Sequence, residues 1–173
     1  MTETQTISLS GFNKMPEADA ASYISRCCGA KRWVEEMVAL RPFESIMDLM
    51  SQAECVWQQL ERPDWLEAFA QHAKIGDINS LKAKYGQTKD WAKGEQANVD
   101  LNATDVLEEL AKLNQEYENR FGYMFIVCAT GKTALEMLNI LKSRINNDPD
   151  KEILLASREQ NKITLLRLEK LLT

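Results

Sequence analysis

The chain has 173 residues, of which 45% are hydrophobic and 27% charged, and its formal net charge is −5. A chain of this length buries about two thirds of its unfolded surface, so a folded domain with a real core is expected. The composition excludes disordered, fibrous and membrane-spanning classes. Because Lys and Arg are dispersed among Asp and Glu, neither a nucleic acid nor a membrane is expected as a partner.

Apolar residues at helical spacing predict three helices in the first half of the chain. The clearest runs from Ile46 to Leu60, with apolar side chains at i, i+3, i+4 and i+7. A shorter helix around residues 33–38 is expected to close at Arg41-Pro42, since the residue before proline is pushed out of the helical region. A third is expected to begin at Pro63-Asp64, where proline and an acid suit the first turn.

Three further helices are predicted in the second half. One runs from Thr104 to near Gly122, and the next from Ala134 to Ile145, where Asn-Asn-Asp-Pro ends it. The last runs from about Asp150 nearly to the C-terminus. It carries an apolar stripe of Leu165, Leu168 and Leu172.

The remaining segments are expected to be irregular. Residues 1–10 are predicted to form a flexible N-terminal tail, and the glycine-containing stretch after His72 is predicted to form a loop. Tyr123 to Cys128 is extended in pattern, but a lone strand has no partner for its backbone groups, so a buried connector is expected. The predicted architecture is a single compact all-α domain of several helices over residues 1–173.

The stretch FIVCATGKT ends like a phosphate-binding P-loop. Gly131, Lys132 and Thr133 match the end of G-x-x-x-x-G-K-[ST], whose backbone amides curl around phosphates. However, Ile126 stands where the first glycine is required, and a β-branched residue resists positive φ. No second strand is predicted beneath the loop. We therefore predict no nucleotide site, and interpret Gly131 as a break before a new helix.

The cysteines indicate a reducing compartment. Cys27, Cys28, Cys55 and Cys128 show no metal-ligand or redox spacing, so reduced and mostly buried thiols are predicted. Cys28 and Cys128 have no helix-N-terminal or cationic setting that would favour a nucleophilic thiolate. The N-terminal MTETQTISLSGF lacks the pattern of a secretory signal. We expect a cytoplasmic protein.

His72 is the only histidine, so it is the first candidate for acid or base chemistry near neutral pH. It shares an apolar helix face with Trp65 and Phe69, where that helix ends. A helix C-terminus favours the protonated ring and apolar neighbours favour the neutral one. A core histidine bonded to a backbone carbonyl fits the same pattern, and the residues alone favour that alternative.

Three other side chains are candidates for a site. Glu95 and Gln96 lie in the stretch WAKGEQANV, where the glutamate either polarises a histidine or is a solvated surface carboxylate. Arg167 borders the leucine stripe of the last helix. Its guanidinium either points inward and binds a carboxylate through two hydrogen bonds, or it stays in solvent while the aliphatic part of the side chain covers apolar surface.

Six ordered blocks of the sequence resemble the OHCU decarboxylases of urate degradation, which act on 2-oxo-4-hydroxy-4-carboxy-5-ureidoimidazoline. The resemblance spans nearly the whole chain. The blocks are MPEADA with CCGAKRWVEEM, RPFESIMDLM, DWLEAFAQHAKIGD, GEQANV, FGYMFIVCATGK and REQNKITLLRLEKLL.

The resemblance implies a small all-helical enzyme, usually a homodimer, that forms (S)-allantoin and carbon dioxide without metal or organic cofactor. It implies that His72 and Glu95 are catalytic. It also implies that Gln96 and Arg167 bind substrate polar groups. The backbone that holds the imidazoline ring is implied at Phe125, Ile126, Val127, Cys128 and Ala129.

Two substrate-binding positions depart from the family pattern. Ala73 stands where a proline commonly follows the histidine, which loses rigidity but no functional group. Ala92 stands where a serine is common, so one expected hydrogen bond to substrate is missing. The competing class is a non-catalytic helical module that binds a partner helix in an apolar groove. Convergence of the site side chains on one small pocket would discriminate the two.

Overall fold

The structure is a computed structural model that describes residues 6–72 and 97–172. This part of the chain contains eight helices. In chain order they are α1 (Leu9–Lys14), α2 (Glu17–Ile24), α3 (Lys31–Ala39), α4 (Ile46–Gln59), α5 (Arg62–Ala70), α6 (Ala97–Phe121), α7 (Ala134–Arg144) and α8 (Pro149–Leu171). The all-α prediction is confirmed. Within these ranges, the β-type backbone pairing is limited to an isolated bridge between Ile7 and Leu172.

The predicted helices over 33–38, 46–60, 134–145 and from about 150 correspond to α3, α4, α7 and α8. Helix α5 begins at Arg62, one residue before the predicted proline. Helix α6 begins at Ala97, seven positions before the predicted Thr104, so that boundary was wrong. Helices α1 and α2 were not predicted, since neither is long enough to show a sustained apolar period.

The predicted flexible tail over residues 1–10 is too long. Ile7 donates its N–H to the carbonyl of Leu171 at 3.2 Å, and Thr6 donates its hydroxyl to Lys170. Ser8 caps α1 by accepting the N–H of Gly11 at 3.0 Å. Residues 6–10 are therefore part of the fold, while residues 1–5 lie outside the described ranges.

The chain divides into two compact units, and the single-domain organisation stays a prediction. The first unit comprises Met1–His72 and Ser157–Thr173, and the second comprises Ala73–Ala156. In the first unit α3 packs against α2, α4 and α5, whereas in the second α6 packs against α7. None of the described helices has the length and hydrophobicity needed to cross a membrane.

The core of the first unit is built around α3. Trp33 and Met37, on one face of this helix, are fully buried, together with Leu49 of α4 and Phe12 of α1. Burying each such side chain stabilises the fold by about 1.5–3 kcal/mol. This core fixes the relative positions of the helices that carry the site described below.

The second unit contains the Gly-Lys-Thr segment and explains it without a nucleotide. Gly131 adopts φ +74°, the left-handed region that glycine favours. Thr133 is the N-cap of α7 and forms a capping box with Glu136. Lys132 donates to the carbonyl of Cys128 at 2.6 Å. The glycine breaks the chain before a helix, as predicted, and the lysine is bound to the backbone of its own loop.

Candidate functional site

His72 lies just beyond the C-terminal end of α5. The helix begins with a capping box, in which the carboxylate of Asp64 accepts the N–H of Glu61 at 3.0 Å, and Pro63 occupies its first turn. At the other end, the N–H of His72 donates to the carbonyl of Phe69 at 3.2 Å. Because both ends of the helix are fixed, the imidazole is held at a defined point of the first unit.

The imidazole of His72 bonds to a side chain, not to the backbone carbonyl expected of a core histidine. Its Nε2 lies 2.5 Å from Oε1 of Gln160, a residue of α8 that is only 1% exposed. Burial is the main influence on this ring and lowers the pKa of His72 below its usual value. The hydrogen bond to Gln160 opposes this effect, and the charge of Arg167 adds to it. The neutral ring is therefore favoured at pH 7.

A cavity of about 480 Å³ opens beside His72 within the first unit. Side chains from the loop before α3 and from α3, α5 and α8 meet in its wall. The lining residues are Ser25, Arg26, Gly29, Lys31, Val34, Ala68, Gln71, His72, Gln160 and Arg167. A cavity of this size fits a small polar ligand.

The lining is cationic. Arg26, Lys31 and Arg167 contribute three positive charges, and no aspartate or glutamate from the described part of the chain lines the cavity. The carboxylate of Glu67 lies elsewhere, accepting the backbone N–H of Lys31 at the start of α3, where the helix dipole favours an acid. The cavity therefore attracts an anionic ligand.

Two cysteines near this region are not nucleophiles. Burial raises the pKa of Cys27 to about 12 and that of Cys28 to about 11, so both are thiols at neutral pH. Cys27, Cys28 and Cys128 are buried and Cys55 is exposed, which confirms the prediction of mostly buried cysteines, while their reduced state stays a prediction. The titratable group that faces the cavity near neutral pH is His72.

Gly29 lets the loop before α3 approach the end of α5, and Gly29→Ala tests this approach. An added Cβ would lie 2.2 Å from Cγ and 2.5 Å from Cβ of Gln71, the residue next to His72. Because these two atoms lie close to the backbone, the end of α5 has to shift. We expect a loss of about 1–3 kcal/mol in the free energy of unfolding, as for other overpacking changes.

The measurement for Gly29→Ala is urea unfolding. Gly11→Ala is the control, since its Cβ meets Ser8 Oγ at 3.2 Å and nothing of the cavity. Equal unfolding free energies for Gly29→Ala and the unmodified chain would show that the loop and α5 are not in the contact described.

The structure brings two of the predicted site residues to one cavity. His72 and Arg167 both line it. The Arg167 side chain is also exposed to solvent, as expected of an arginine that borders the leucine stripe of α8. Four others, Ala73, Ala92, Glu95 and Gln96, lie outside the described residues. The roles assigned to all of them stay predictions.

The segment from Phe125 to Ala129 belongs to the second unit and is neither helix nor strand there, which agrees with the predicted connector. Ile126, Val127 and Cys128 are buried. Two of its carbonyls are already bound: Ile126 accepts from Arg144 at 2.8 Å and Cys128 accepts from Lys132 at 2.6 Å. Its contact with a substrate ring stays a prediction.

Sequence reasoning missed the polar residues that α8 contributes to the first unit. Gln160 and Thr164 are 1% and 0% exposed, although neither is apolar. The signal was present, because both precede Leu168 at intervals of four residues and so lie on the buried stripe of α8. A glutamine and a threonine on a buried face require hydrogen-bond partners, and His72 is one of them.

Residues 13–169 match the family model described as OHCU decarboxylase. The chain belongs to the OHCU decarboxylase family. A solved structure of an OHCU decarboxylase in the presence of (S)-allantoin is similar, with a TM-score of 0.67 and 35% identity. This similarity covers 85% of the chain and 94% of the solved one. A solved (S)-allantoin synthase shares the fold, with a TM-score of 0.71 at 19% identity over 96% of this chain and 54% of the other.

Curated relatives of the family include longer proteins. The chain is 34% identical over 145 residues to the uric acid degradation bifunctional protein TTL of Arabidopsis thaliana, covering 84% of this chain and 45% of the relative. It thus spans less than half of that protein. A 2-oxo-4-hydroxy-4-carboxy-5-ureidoimidazoline decarboxylase of Haloferax volcanii is 24% identical over 139 residues, which is 79% of each protein.

Proposed function

We propose that this chain is a carboxy-lyase of urate degradation that converts 2-oxo-4-hydroxy-4-carboxy-5-ureidoimidazoline to (S)-allantoin and carbon dioxide. One observation carries the proposal: His72 and Arg167 line one cation-rich cavity, where a buried glutamine holds the imidazole. The names of the relatives support it, as does the similarity to a decarboxylase solved with (S)-allantoin.

The cationic lining suits the substrate carboxylate, and Arg167 is the residue we assign to bind it, because a guanidinium holds a planar anion through two parallel N–H bonds. Gln96 is assigned to the remaining polar groups. The carbon to carboxylate bond then breaks, carbon dioxide leaves, and the electron pair flows into the adjacent ring C=N bond. The substrate thus carries its own electron sink.

Proton movements are assigned to His72 and Glu95. A neutral imidazole accepts the proton of the 4-hydroxyl as the carboxylate leaves. General base catalysis of this kind raises the rate by about a hundred- to ten-thousand-fold. Two protons are then returned: one goes to the ring nitrogen that received the electron pair, and the other goes to the ring carbon on a single face. We assign the ring-holding backbone to Phe125–Ala129, because a fixed ring exposes one face to the donor and bulk water would protonate both.

Convergence on a cavity favours this function over a helical interaction module. An apolar groove for a partner helix has no need of a titratable side chain beside three cations. His72 is half-buried, and its partner Gln160 is almost fully buried, so the pair is not a surface feature. Such a buried, hydrogen-bonded histidine in a charged cavity is typical of catalytic sites.

We further propose that the enzyme acts as a cytoplasmic homodimer without a cofactor. The sequence supports a reducing compartment, since its four cysteines show no disulfide or metal-ligand spacing, and the dimer is what the family resemblance implies. Size-exclusion chromatography with light scattering measures the oligomeric state, and a monomer at micromolar concentration would contradict the dimer.

The decisive experiment generates the unstable substrate from urate in place, with uricase and hydroxyisourate hydrolase. Circular dichroism then follows optically active allantoin with and without this protein. Rapid formation of the (S)-enantiomer is expected only when the protein is present. Racemic product at the spontaneous rate in both samples would overturn the proposed function.

Arg167→Lys is expected to raise KM about tenfold while the free energy of unfolding stays within about 0.5 kcal/mol. The reason is that lysine keeps the charge but loses the fork, and the side chain is exposed, so little packing changes. Arg158→Lys is the matched control, since Arg158 is also exposed on α8 and does not line the cavity. Identical saturation curves for the two variants would rule out the carboxylate-binding role.

A further inference from the structure

A chain of hydrogen bonds leads from the cavity into the buried face of α8. Nε2 of His72 contacts Oε1 of Gln160, and Nε2 of Gln160 lies 3.1 Å from Oγ1 of Thr164. That hydroxyl also lies 3.1 Å from the backbone carbonyl of Gln160. Gln160 and Thr164 are at most 1% exposed, so both side chains are almost fully withdrawn from bulk solvent. Buried polar groups of this kind are retained when each has a partner.

The direction of each bond follows from which atoms carry hydrogen. The Thr164 hydroxyl has one hydrogen and contacts the Gln160 carbonyl, the Gln160 amide and the Cys28 thiol. The carbonyl only accepts, and the thiol keeps its own hydrogen because burial raises the pKa of Cys28, so the hydroxyl hydrogen goes to the carbonyl. The hydroxyl oxygen is then left to accept from the amide N–H₂ of Gln160. The amide therefore turns its oxygen toward His72, and that oxygen requires a hydrogen on Nε2.

We propose that Gln160 is a positioning residue that holds His72 as the Nε2–H tautomer, so that Nδ1 is the nitrogen available to take a proton from the substrate. The catalytic part of this inference rests on the proposed function. Thr164 acts one step further away, since it sets the orientation of the Gln160 amide.

The charges around the imidazole are consistent with a neutral base. Arg26 and Lys31 line the cavity from the loop before α3 and the start of α3, and Arg167 lines it from α8. No carboxylate within the described ranges lines it. Burial and Arg167 both lower the pKa of His72, and the Gln160 bond raises it. The Gln160 amide oxygen is neutral, so it orients the ring without adding a negative charge that would favour the protonated imidazole.

The test reads the tautomer directly. Because the chain has one histidine, untagged protein labelled with ¹⁵N-histidine gives a single imidazole spectrum, recorded without substrate. We expect the Nε2–H tautomer in the unmodified chain. In Gln160→Met, which keeps the length but no acceptor, we expect mixed tautomers and a kcat at least about tenfold lower, with KM changed by less than about threefold. The acidic limb of its kcat/KM profile should move to lower pH.

Two variants and one control complete the experiment. Gln160→Glu keeps an acceptor for Nε2–H and is expected to retain the tautomer and to move the acidic limb to higher pH. Thr164→Val leaves Gln160 in place but frees its amide to turn, so mixed tautomers are expected. Ser157→Ala removes another buried hydroxyl of α8, one that accepts the Trp57 indole at 3.1 Å. It is expected to lower stability without changing tautomer or kcat.

The outcomes are distinct. An Nδ1–H tautomer in the unmodified chain would overturn the proposal, as would an unmodified tautomer and kcat in both Gln160→Met and Thr164→Val. The Nε2–H tautomer in a chain that fails to decarboxylate would overturn the proposed function and the catalytic role of Gln160 together, and would leave the hydrogen-bond assignment standing.

Discussion

Replacing His72 with alanine is expected to lower kcat by about a hundred- to ten-thousand-fold, the contribution of a positioned general base. The fold is expected to persist, because His72 follows the last residue of α5 and is only half-buried. Circular dichroism of the product measures the rate, and far-ultraviolet dichroism with thermal unfolding measures the fold. A rate equal to that of the unmodified chain would remove His72 from the mechanism.

A second substitution separates chemistry from structure. His72→Ala leaves the buried oxygen of Gln160 without its donor, and this loss alone destabilises the fold by about 1–3 kcal/mol. His72→Gln keeps an amide N–H donor at that position but cannot act as a base. Equal inactivity of both variants is the expected result. Substantial activity in His72→Gln would show that the ring is a structural partner of Gln160.

The pH dependence of the unmodified enzyme follows from the same ring. A base works when unprotonated, so kcat/KM, which reports the free enzyme, should fall on the acid side as the imidazole becomes charged. Because burial lowers the pKa of His72, this limb lies below pH 6.5, the ordinary value. In the unfolded chain the ring binds its proton at higher pH, so the unfolded state binds more protons between the two values. Stability contributed by the neutral ring is therefore lost as the pH falls below 6.5.

Helical periodicity predicted the longer helices because their buried faces recur at 3.6 residues. α4 shows this most clearly, since Leu49, Ala53 and Trp57 are buried at the predicted spacing. The same signal failed at α1 and α2, whose lengths of 6 and 8 residues allow few repeats. It also placed the start of α6 too late.

Only part of the candidate site was predictable from local pattern. His72 was singled out because it is the only histidine, and Arg167 because it borders a leucine stripe. Their shared cavity depends on the packing of α3, α5 and α8, which brings together residues 88 positions apart in the case of His72 and Gln160. No local period encodes that contact. Only the polar residues on the buried face of α8 indicated that a partner was needed.

Removing Arg144 is expected to destabilise the second unit more than any surface change. Its guanidinium contacts Oε1 of Glu152 at 2.6 Å and the carbonyl of Ile126 at 2.8 Å. Arg144 and Glu152 are 6% and 0% exposed. Arg144→Met leaves a carboxylate fully buried without its cation, which costs about 3–5 kcal/mol. Calorimetry or urea unfolding measures the loss.

The matched control is Lys142→Met on the same helix. Lys142 pairs with Glu109 at 2.9 Å, but both side chains are 47% exposed. An exposed pair contributes about 0–1 kcal/mol, so this variant should unfold almost like the unmodified chain. Equal losses for Lys142→Met and Arg144→Met would contradict the argument from burial.

The double variant Arg144→Met with Glu152→Leu identifies the source of the loss. If the cost comes from an unpaired buried charge, removing the carboxylate as well should restore much of the stability. Recovery will be incomplete, because Tyr117 and Asn147 also donate to Glu152, at 2.7 and 2.9 Å, and lose their acceptor. A double variant less stable than Arg144→Met would assign the loss to these hydrogen bonds and to packing instead.

The same variant connects stability with the proposed substrate contact. Arg144 lies 4.7 Å from the centre of the Phe125 ring and holds the Ile126 carbonyl, so it fixes the segment that we assign to the imidazoline. At a temperature where Arg144→Met stays folded, this segment has lost its cationic anchor. We therefore expect KM to rise, together with the yield of the (R)-enantiomer, since a loosely held ring exposes both faces to protonation. A folded variant with unchanged KM and enantiomeric excess would place the ring-binding backbone elsewhere.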